Sequence, residues 1–260
     1  DTMDRLIAKP HGLVLVTGPT GSGKTTTLYA CLSKLYDPRK KIITIEDPVE
    51  YELAGINQIP VNPKRGLTFA TGLRSILRQD PDVLLIGEIR DGETADIAVK
   101  FSLTGHLVFS TVHANDAPGT ITRLLDIGIA PFLVGSCLNL VMAQRLVRRI
   151  CNNCKEEYSA TPEELAMIGL DPGRVTDALY HGKGCTECRN TGYKGRLAIF
   201  EMIPMARELR KLVFESANED DIRQAALNNG MVTLREAGLA RVLDGTTTTE
   251  EILRSTVEEL

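Results

Sequence analysis

The chain has 260 residues, of which 43% are hydrophobic and 25% charged, enough for one large α/β domain with a smaller appendage. Its formal net charge of −4 excludes the strongly basic composition expected of a dedicated nucleic-acid binder. No run of about 18 apolar residues occurs, so the sequence predicts no membrane-spanning helix, and any membrane connection must run through a partner. There is no signal peptide, and we interpret the chain as a fragment whose natural N-terminal part is left out.

The first predicted elements surround a glycine-rich turn. Leu13–Thr17 is a short apolar run typical of a buried strand, and a helix from about Lys24 to Tyr36 follows the turn. Ile42–Glu46 is predicted to be a second buried strand.

The alternation of helix and strand then continues. Thr68 is the predicted N-cap of a helix reaching about Gln79, and Asp91 that of a helix reaching about Leu103. Val83–Ile86 and Leu107–Val112 are the third and fourth predicted strands. Because short apolar strands alternate with helices, we expect a mostly parallel sheet covered on both faces.

The pattern changes around Arg145–Cys154. Residues from Cys151 to about Tyr193 are rich in Cys, Gly, Asn and charge, which predicts a small insertion with little apolar core and a helix near Pro162–Ile168. From about Arg207 the pattern is helical again. Thr247–Glu250 and Thr248–Glu251 both have capping-box spacing before a last helix.

The glycine-rich turn matches G-x-x-x-x-G-K-[ST], follows a predicted strand and opens a predicted helix, as a phosphate-binding loop requires. Its backbone N–H groups and the helix N-terminus favour phosphate. Lys24 is expected to reach the β- and γ-phosphates of ATP, and the Thr25 hydroxyl to bind Mg²⁺. The predicted nucleotide-binding residues are Gly18, Pro19, Thr20, Gly21, Ser22, Gly23, Lys24, Thr25 and Thr26.

Hydrolysis also needs carboxylates, and candidates follow two of the predicted strands. Glu88 ends an apolar run, but Gly87 occupies the position where the usual pattern has Asp. Glu88 must therefore bind the metal through water or act as the base, and Glu50 or Glu46 must share the task. The alternative for Glu88 is an ordinary surface carboxylate at a strand end.

Four of the six cysteines form two C-x-x-C pairs separated by thirty residues. Two such pairs can place four thiolates around Zn²⁺, and a site filled by four sulfurs has no open position for water, so the metal would be structural. A redox pair and free thiols are the alternatives. The predicted ligands are Cys151, Cys154, Cys185 and Cys188.

Five stretches resemble the ATPases of type II secretion and type IV pilus assembly. Leu77–Asp91 carries the most specific match; Thr104–Asn115 resembles the histidine box of that family and Glu46–Glu50 its aspartate box. The sequences flanking the cysteine pairs, Gln144–Arg149 and Gly192–Arg196, are similar as well.

The resemblance implies a RecA-like P-loop core over 1–147, a tetracysteine zinc-binding subdomain over 148–200 and a C-terminal helical region over 201–260. It implies a catalytic set of Glu88, Glu50, Lys24, His113 and Arg90, with Thr25 and Glu88 at the magnesium. His106 and His113 would face the nucleotide. The arginines expected near the phosphates or at subunit contacts are Arg74, Arg78, Arg90 and Arg196.

The same resemblance implies a homo-hexameric ring that hydrolyses ATP and works on inner-membrane platform proteins from the cytoplasmic side. The natural N-terminal domains would be absent from this chain. Each predicted histidine and arginine has a simpler alternative, because such side chains commonly make local hydrogen bonds and ion pairs.

Two other functions compete with the secretion motor. P-loop rings also translocate nucleic acids, although the acidic balance disfavours this and no nucleic-acid partner is expected. The other competitor is a scaffold that binds nucleotide without hydrolysing it and uses the zinc region for docking.

Overall fold

The computed structural model describes residues 2–167 and 179–256. They form two compact units, Asp1–Ala143 with Met202–Met231 and Gln144–Glu201 with Val232–Leu260. No helix among these residues has both the length and the apolar character needed to cross a membrane.

A seven-stranded sheet carries the first unit. Its strands are β1 (Gly12–Thr17), β2 (Ile42–Glu46), β3 (Asn57–Pro60), β4 (Val83–Ile86), β5 (Leu107–Val112), β6 (Leu138–Ile150) and β9 (Tyr193–Pro204), in the order β3-β2-β4-β5-β1-β6-β9. Residues 144–150 of β6 and 193–201 of β9 are assigned to the second unit. The pairs from β3 to β6 are parallel. The predicted α/β class with a mostly parallel sheet is confirmed.

All residues of β1, β2, β4 and β5 are buried. Since successive side chains on a strand point to opposite faces, the sheet is covered on both sides here, as the continuous apolar runs predicted. Each buried Leu, Ile or Val contributes about 1.5–3 kcal/mol relative to an exposed position.

The helices of the first unit connect and cover these strands. They are α1 (Thr2–Ile7), α2 (Lys24–Leu35), α3 (Phe69–Ile76), α4 (Gly92–Leu103), α5 (Ala117–Asp126), α6 (Pro131–Cys137), α8 (Arg207–Phe214) and α9 (Glu219–Asn228), with short 3-10 turns at Pro63–Arg65 and Leu77–Gln79. Two predicted caps are confirmed: Asp91 accepts from the Thr94 N–H at 2.8 Å and Thr68 from the Thr71 N–H at 3.2 Å. Cys31 and Cys137 are buried in the core.

The second unit contains an antiparallel pair, β7 (Lys155–Tyr158) with β8 (Leu179–Gly182), and the helices α7 (Pro162–Met167), α10 (Leu234–Leu243) and α11 (Thr249–Ser255). The predicted helix between the cysteine pairs corresponds to α7, and Ile168 lies outside the described residues. The C-terminal helices belong to both units: α8 and α9 to the first, α10 and α11 to the second. The division at 147 and 200 stays a prediction.

A fully buried carboxylate, Glu251, fastens α11 within the second unit. It accepts from the Arg148 backbone N–H at 2.9 Å and from the guanidinium groups of Arg148 and Arg254 at 2.8 Å. Burial alone would raise the pKa of Glu251, but the hydrogen bonds from Arg148 and Arg254 outweigh it and lower that pKa. Thr248 caps the helix by accepting from the Glu251 N–H, so the Thr248–Glu251 capping register is the one adopted.

We predict that Glu251→Gln lowers the free energy of unfolding at neutral pH by about 1–3 kcal/mol, because the arginines lose a charged acceptor. A lowered folded-state pKa gives stability that is present above the ordinary glutamate pKa of about 4.3 and lost as pH falls through the folded value. The difference between the variants in urea unfolding should therefore shrink below about pH 4. The exposed neighbour Glu250 supplies the control, and an equal loss in Glu250→Gln would contradict the role of Glu251.

Candidate functional site

The phosphate-loop sequence joins the end of β1 to the start of α2. Gly18, Gly21 and Gly23 have φ values of 141°, 80° and 86°, conformations that other residues rarely adopt. Gly23 is also the N-cap of α2 and has no side chain to occupy the helix N-terminus. The loop and the first turn of α2 therefore provide the cradle of backbone N–H groups that phosphate requires.

Lys24 extends across this loop. Its ammonium donates to the carbonyl oxygens of Gly18 at 2.7 Å and Pro19 at 2.9 Å. An anion in the cradle would compete with these neutral acceptors for the ammonium, because charge-assisted bonds are roughly twice as strong as neutral ones.

Thr17, the last residue of β1, connects the phosphate loop to the segment after β5. Its buried hydroxyl donates to the carbonyl of Val112 at 2.7 Å or Ala114 at 2.8 Å, and accepts from the Ala114 N–H at 2.9 Å. These bonds fix the backbone on both sides of His113 beside the loop. Sequence reasoning did not select Thr17, although its position directly before the motif was a usable signal.

Glu88 follows β4 at the same edge of the sheet, and its side chain is only 13% exposed. One carboxylate oxygen is paired with the Arg90 guanidinium, and the other lies 3.2 Å from His113 Nε2. Three predicted site residues are therefore in direct contact. Arg90 and His113 therefore hold the two oxygens of the Glu88 carboxylate in fixed positions at this edge of the sheet.

Gly87 explains the departure from the usual Asp-Glu pattern. A Cβ at this position would lie 3.2 Å from the Glu46 Cα and 3.3 Å from the Ile45 carbonyl oxygen, closer than ordinary contacts allow. Its N–H donates to that same carbonyl at 2.8 Å. The close approach of the β2 and β4 backbones therefore favours glycine, since a side chain here would require β2 to shift by a few tenths of an ångström.

Glu46 ends β2 but is 3% exposed, with both oxygens engaged. Tyr29 Oη and Thr44 Oγ1 each donate to it at 2.5 Å, and Gln58 Nε2 lies 3.3 Å away. Burial, together with the hydrogen bond to Glu46, raises the pKa of Tyr29, so the hydroxyl stays protonated as a donor. These contacts make Glu46 a buried structural carboxylate. Of the two candidates for assisting Glu88 in hydrolysis, Glu50 is the one that remains.

Glu50 lies in the exposed segment that follows, and its backbone N–H points to Tyr29 Oη at 3.4 Å. Tyr29 and Gln58 were not selected from the sequence. Tyr29 was detectable, because it lies four residues after Thr25 and therefore on the same face of α2.

The remaining predicted residues are more dispersed. Arg74 on α3 pairs with Glu93 on α4, while Arg78 and Arg196 are exposed, Arg196 in the second unit. His106 precedes β5, so the length of that strand separates it from the phosphate-loop edge; its ring stacks on Phe101 with centroids 3.9 Å apart. His113 follows β5 and therefore lies at the phosphate-loop edge, whereas His106 lies at the opposite end of the strand. That both histidines face the nucleotide stays a prediction.

The four paired cysteines gather in the second unit, with their sulfur atoms all within 4.8 Å of one another. Sulfur–sulfur distances of 3.8 Å (Cys151–Cys185 and Cys154–Cys188) and 3.7 Å (Cys185–Cys188) agree with the edge of about 3.8 Å in a tetrahedron with Zn–S bonds of about 2.3 Å. They are far longer than a disulfide bond of about 2.0 Å. The donor set and its spacing fit a four-sulfur metal site.

The local backbone also favours thiolate at this cluster. Burial opposes ionisation of Cys188, but the N–H groups of Cys185 and Gly192, at 3.2 and 3.3 Å from its sulfur, bring its pKa down to about 6. Burial raises the pKa of Cys154, and a cation held by the four sulfurs would favour its thiolate form.

The family profile described as "Type II/IV secretion system protein" matches residues 1–254. The chain belongs to this family. The RecA-like secretion-ATPase fold predicted from the sequence is thereby confirmed, since the similar solved structures named below are of that class.

Among curated relatives of this family member, the type II secretion system protein E of Pseudomonas aeruginosa is 53% identical over 257 residues, covering 99% of this chain and 51% of that protein. The type IV pilus assembly ATPase PilB of Myxococcus xanthus is 51% identical over 255 residues, covering 97% and 45%. The chain thus spans about half the length of the curated relatives it matches.

Two solved structures resemble this secretion-family chain. A pilus retraction motor PilT with bound ADP has a TM-score of 0.74 at 28% identity, covering all of this chain and 65% of that one. The Legionella pneumophila ATPase DotB has a TM-score of 0.70 at 22% identity, covering 97% and 62%, and its likeness shows the fold alone.

Proposed function

We propose that this chain is the ATP-hydrolysing part of a motor that drives type II secretion or type IV pilus assembly. The observation that carries the proposal is the meeting, at one sheet edge, of the phosphate loop and the Glu88–Arg90–His113 cluster. The relatives at about 50% identity support it, since their names describe secretion protein E and a pilus assembly ATPase, and PilT supports nucleotide binding because it holds ADP.

In this proposal the loop Gly18–Thr26 holds the phosphates, and Lys24 leaves its loop carbonyls to bind them. Thr25 and Glu88 hold Mg²⁺, which neutralises phosphate charge when bound. Glu88 fixes and polarises the attacking water, and Glu50 assists. Arg90 and His113 keep the Glu88 carboxylate in place, while Arg74, Arg78 and Arg196 serve phosphate or subunit contacts.

The assembly proposed for the full protein is a homo-hexamer with further N-terminal domains, cytoplasmic and attached to the inner membrane through platform proteins. The tetracysteine cluster is proposed to bind Zn²⁺ as a structural ion. The named relatives are secretion and pilus proteins, which favours this motor over one that moves nucleic acid. The other alternative is a scaffold that binds nucleotide without hydrolysing it, and measurements of ATP turnover distinguish it from the motor.

We predict that Lys24→Ala lowers ATP turnover by more than about 100-fold and weakens nucleotide binding, because the one cationic side chain of the loop Gly18–Thr26 is removed. Steady-state phosphate release and nucleotide titration measure the two effects. Lys34→Ala, on the same helix but paired with Asp4 at the surface, is the control. Undiminished turnover in Lys24→Ala would reject the cradle as the site of hydrolysis.

Glu88→Gln is expected to retain ATP binding and lose hydrolysis by about 100-fold or more, because the amide can neither hold the metal's water nor polarise it. A surface carboxylate on α4, Asp96, provides the matched Asp96→Asn control. Normal phosphate release by Glu88→Gln, with bound nucleotide, would remove Glu88 from the mechanism.

For the second unit we expect about one zinc ion per chain after purification without chelator, because four thiolates saturate a tetrahedral ion. Cys188→Ser should lose the ion and lower the unfolding temperature, whereas Cys31→Ser, in the core of the other unit, should keep it. Elemental analysis that finds no metal in the unsubstituted protein would defeat the zinc assignment.

A further inference from the structure

Glu50 lies in residues 47–56, a segment between β2 and β3 that forms neither helix nor strand. Gln58, on β3, fastens this segment through both ends of its amide. Its oxygen accepts from the Leu53 N–H at 2.6 Å, and its nitrogen donates to the Tyr51 carbonyl at 3.2 Å. The Gln58 side chain therefore ties β3 to backbone groups five and seven residues earlier in the chain.

The same amide joins the segment to the helix that starts in the phosphate loop. Gln58 Nε2 lies 3.1 Å from Tyr29 Oη, and that hydroxyl is bonded to buried Glu46 at 2.5 Å. The Glu50 N–H points to the same hydroxyl at 3.4 Å. The backbone of Glu50 is thus part of a network centred on Tyr29 and Gln58.

Aromatic packing reinforces the attachment along α2. The rings of Tyr29 and Tyr51 meet edge to face with centroids 4.7 Å apart. At the end of the helix, the Tyr36 ring lies so close to Gly55 that a Cβ there would be 2.3 Å from its hydroxyl oxygen. The segment consequently rests on α2, whose first turn contains Lys24 and Thr25.

We propose that Gln58 and Tyr29 are positioning residues that set Glu50 relative to the phosphate loop. The proposal rests on the proposed ATP hydrolysis. A carboxylate that acts on an attacking water must be within hydrogen-bond reach of it, and a displacement of about 1 Å can cost about 100-fold in rate. Since no strand ladder holds residues 47–56, these side-chain bonds supply the alignment.

A double-mutant cycle in the protein at its full natural length tests this. Gln58→Leu keeps the side-chain bulk but removes every hydrogen bond of the amide, and we expect kcat to fall about tenfold with the KM for ATP within about twofold. In a Glu50→Gln background, Gln58→Leu should lower kcat by less than about twofold. The side chain at position 50 is then already inactive, so displacing it has no further effect on the rate. Tyr29→Phe, which keeps the ring packing, should show the same dependence on Glu50.

Thr44→Val is the matched control. It removes a 2.5 Å bond from the same buried Glu46 carboxylate but none from residues 47–56, and kcat should stay within about twofold. Thermal unfolding of each variant, expected within a few degrees of the unsubstituted protein, separates misalignment from loss of the fold.

An equal loss from Gln58→Leu in both backgrounds would overturn the proposal, because the amide would then act independently of Glu50. Full turnover in Glu50→Gln, while Lys24→Ala is inactive, would also overturn it and leave the ATPase assignment standing. Absence of turnover in the unsubstituted protein would reject the ATPase assignment and this proposal with it.

Discussion

Parallel strands end at one edge of their sheet, and the candidate site is a direct consequence of that constraint. The register places Thr17 beside Val112, Val83–Ile86 beside Leu107–Ser110, and Ile45 beside Ile86. The residues that follow each strand therefore emerge together: the phosphate loop after β1, the Glu50 segment after β2, Glu88 after β4 and His113 after β5. The parallel pairing of the strands is sufficient to bring these segments together.

Helix α2 gives this edge a second level of order. Its N-terminus contributes to the phosphate cradle, and its side, through Tyr29 and Tyr36, supports the segment that contains Glu50. The metal-type cluster of cysteines belongs to the other unit and shares no residue with the phosphate loop.

Elements that depend on neighbouring residues in the chain could be predicted from the sequence. The four apolar strands, the phosphate loop and the caps at Thr68 and Asp91 were predictable because each depends on neighbouring residues. β6 and β9 were missed, since Leu138–Ile150 mixes apolar residues with Arg and Gln and has no clear alternation. The residues alone left Glu46 and Glu50 as candidates, and the contacts of Tyr29, Thr44 and Gln58 show that Glu46 is buried and engaged. The position of His106, at the end of β5 away from the phosphate loop, depends on the strand direction, which the motif does not encode.

The proposed ATP hydrolysis depends most directly on whether the Lys24 ammonium leaves its loop carbonyls to bind phosphate. A crystal structure of the chain with a non-hydrolysable ATP analogue and Mg²⁺ tests this. We expect the triphosphate in the loop Gly18–Thr25, the Lys24 ammonium moved from the carbonyls of Gly18 and Pro19 to phosphate oxygens, and Glu88 facing the terminal phosphoryl group. Nucleotide bound elsewhere, with Lys24 still on its loop carbonyls, would contradict the account.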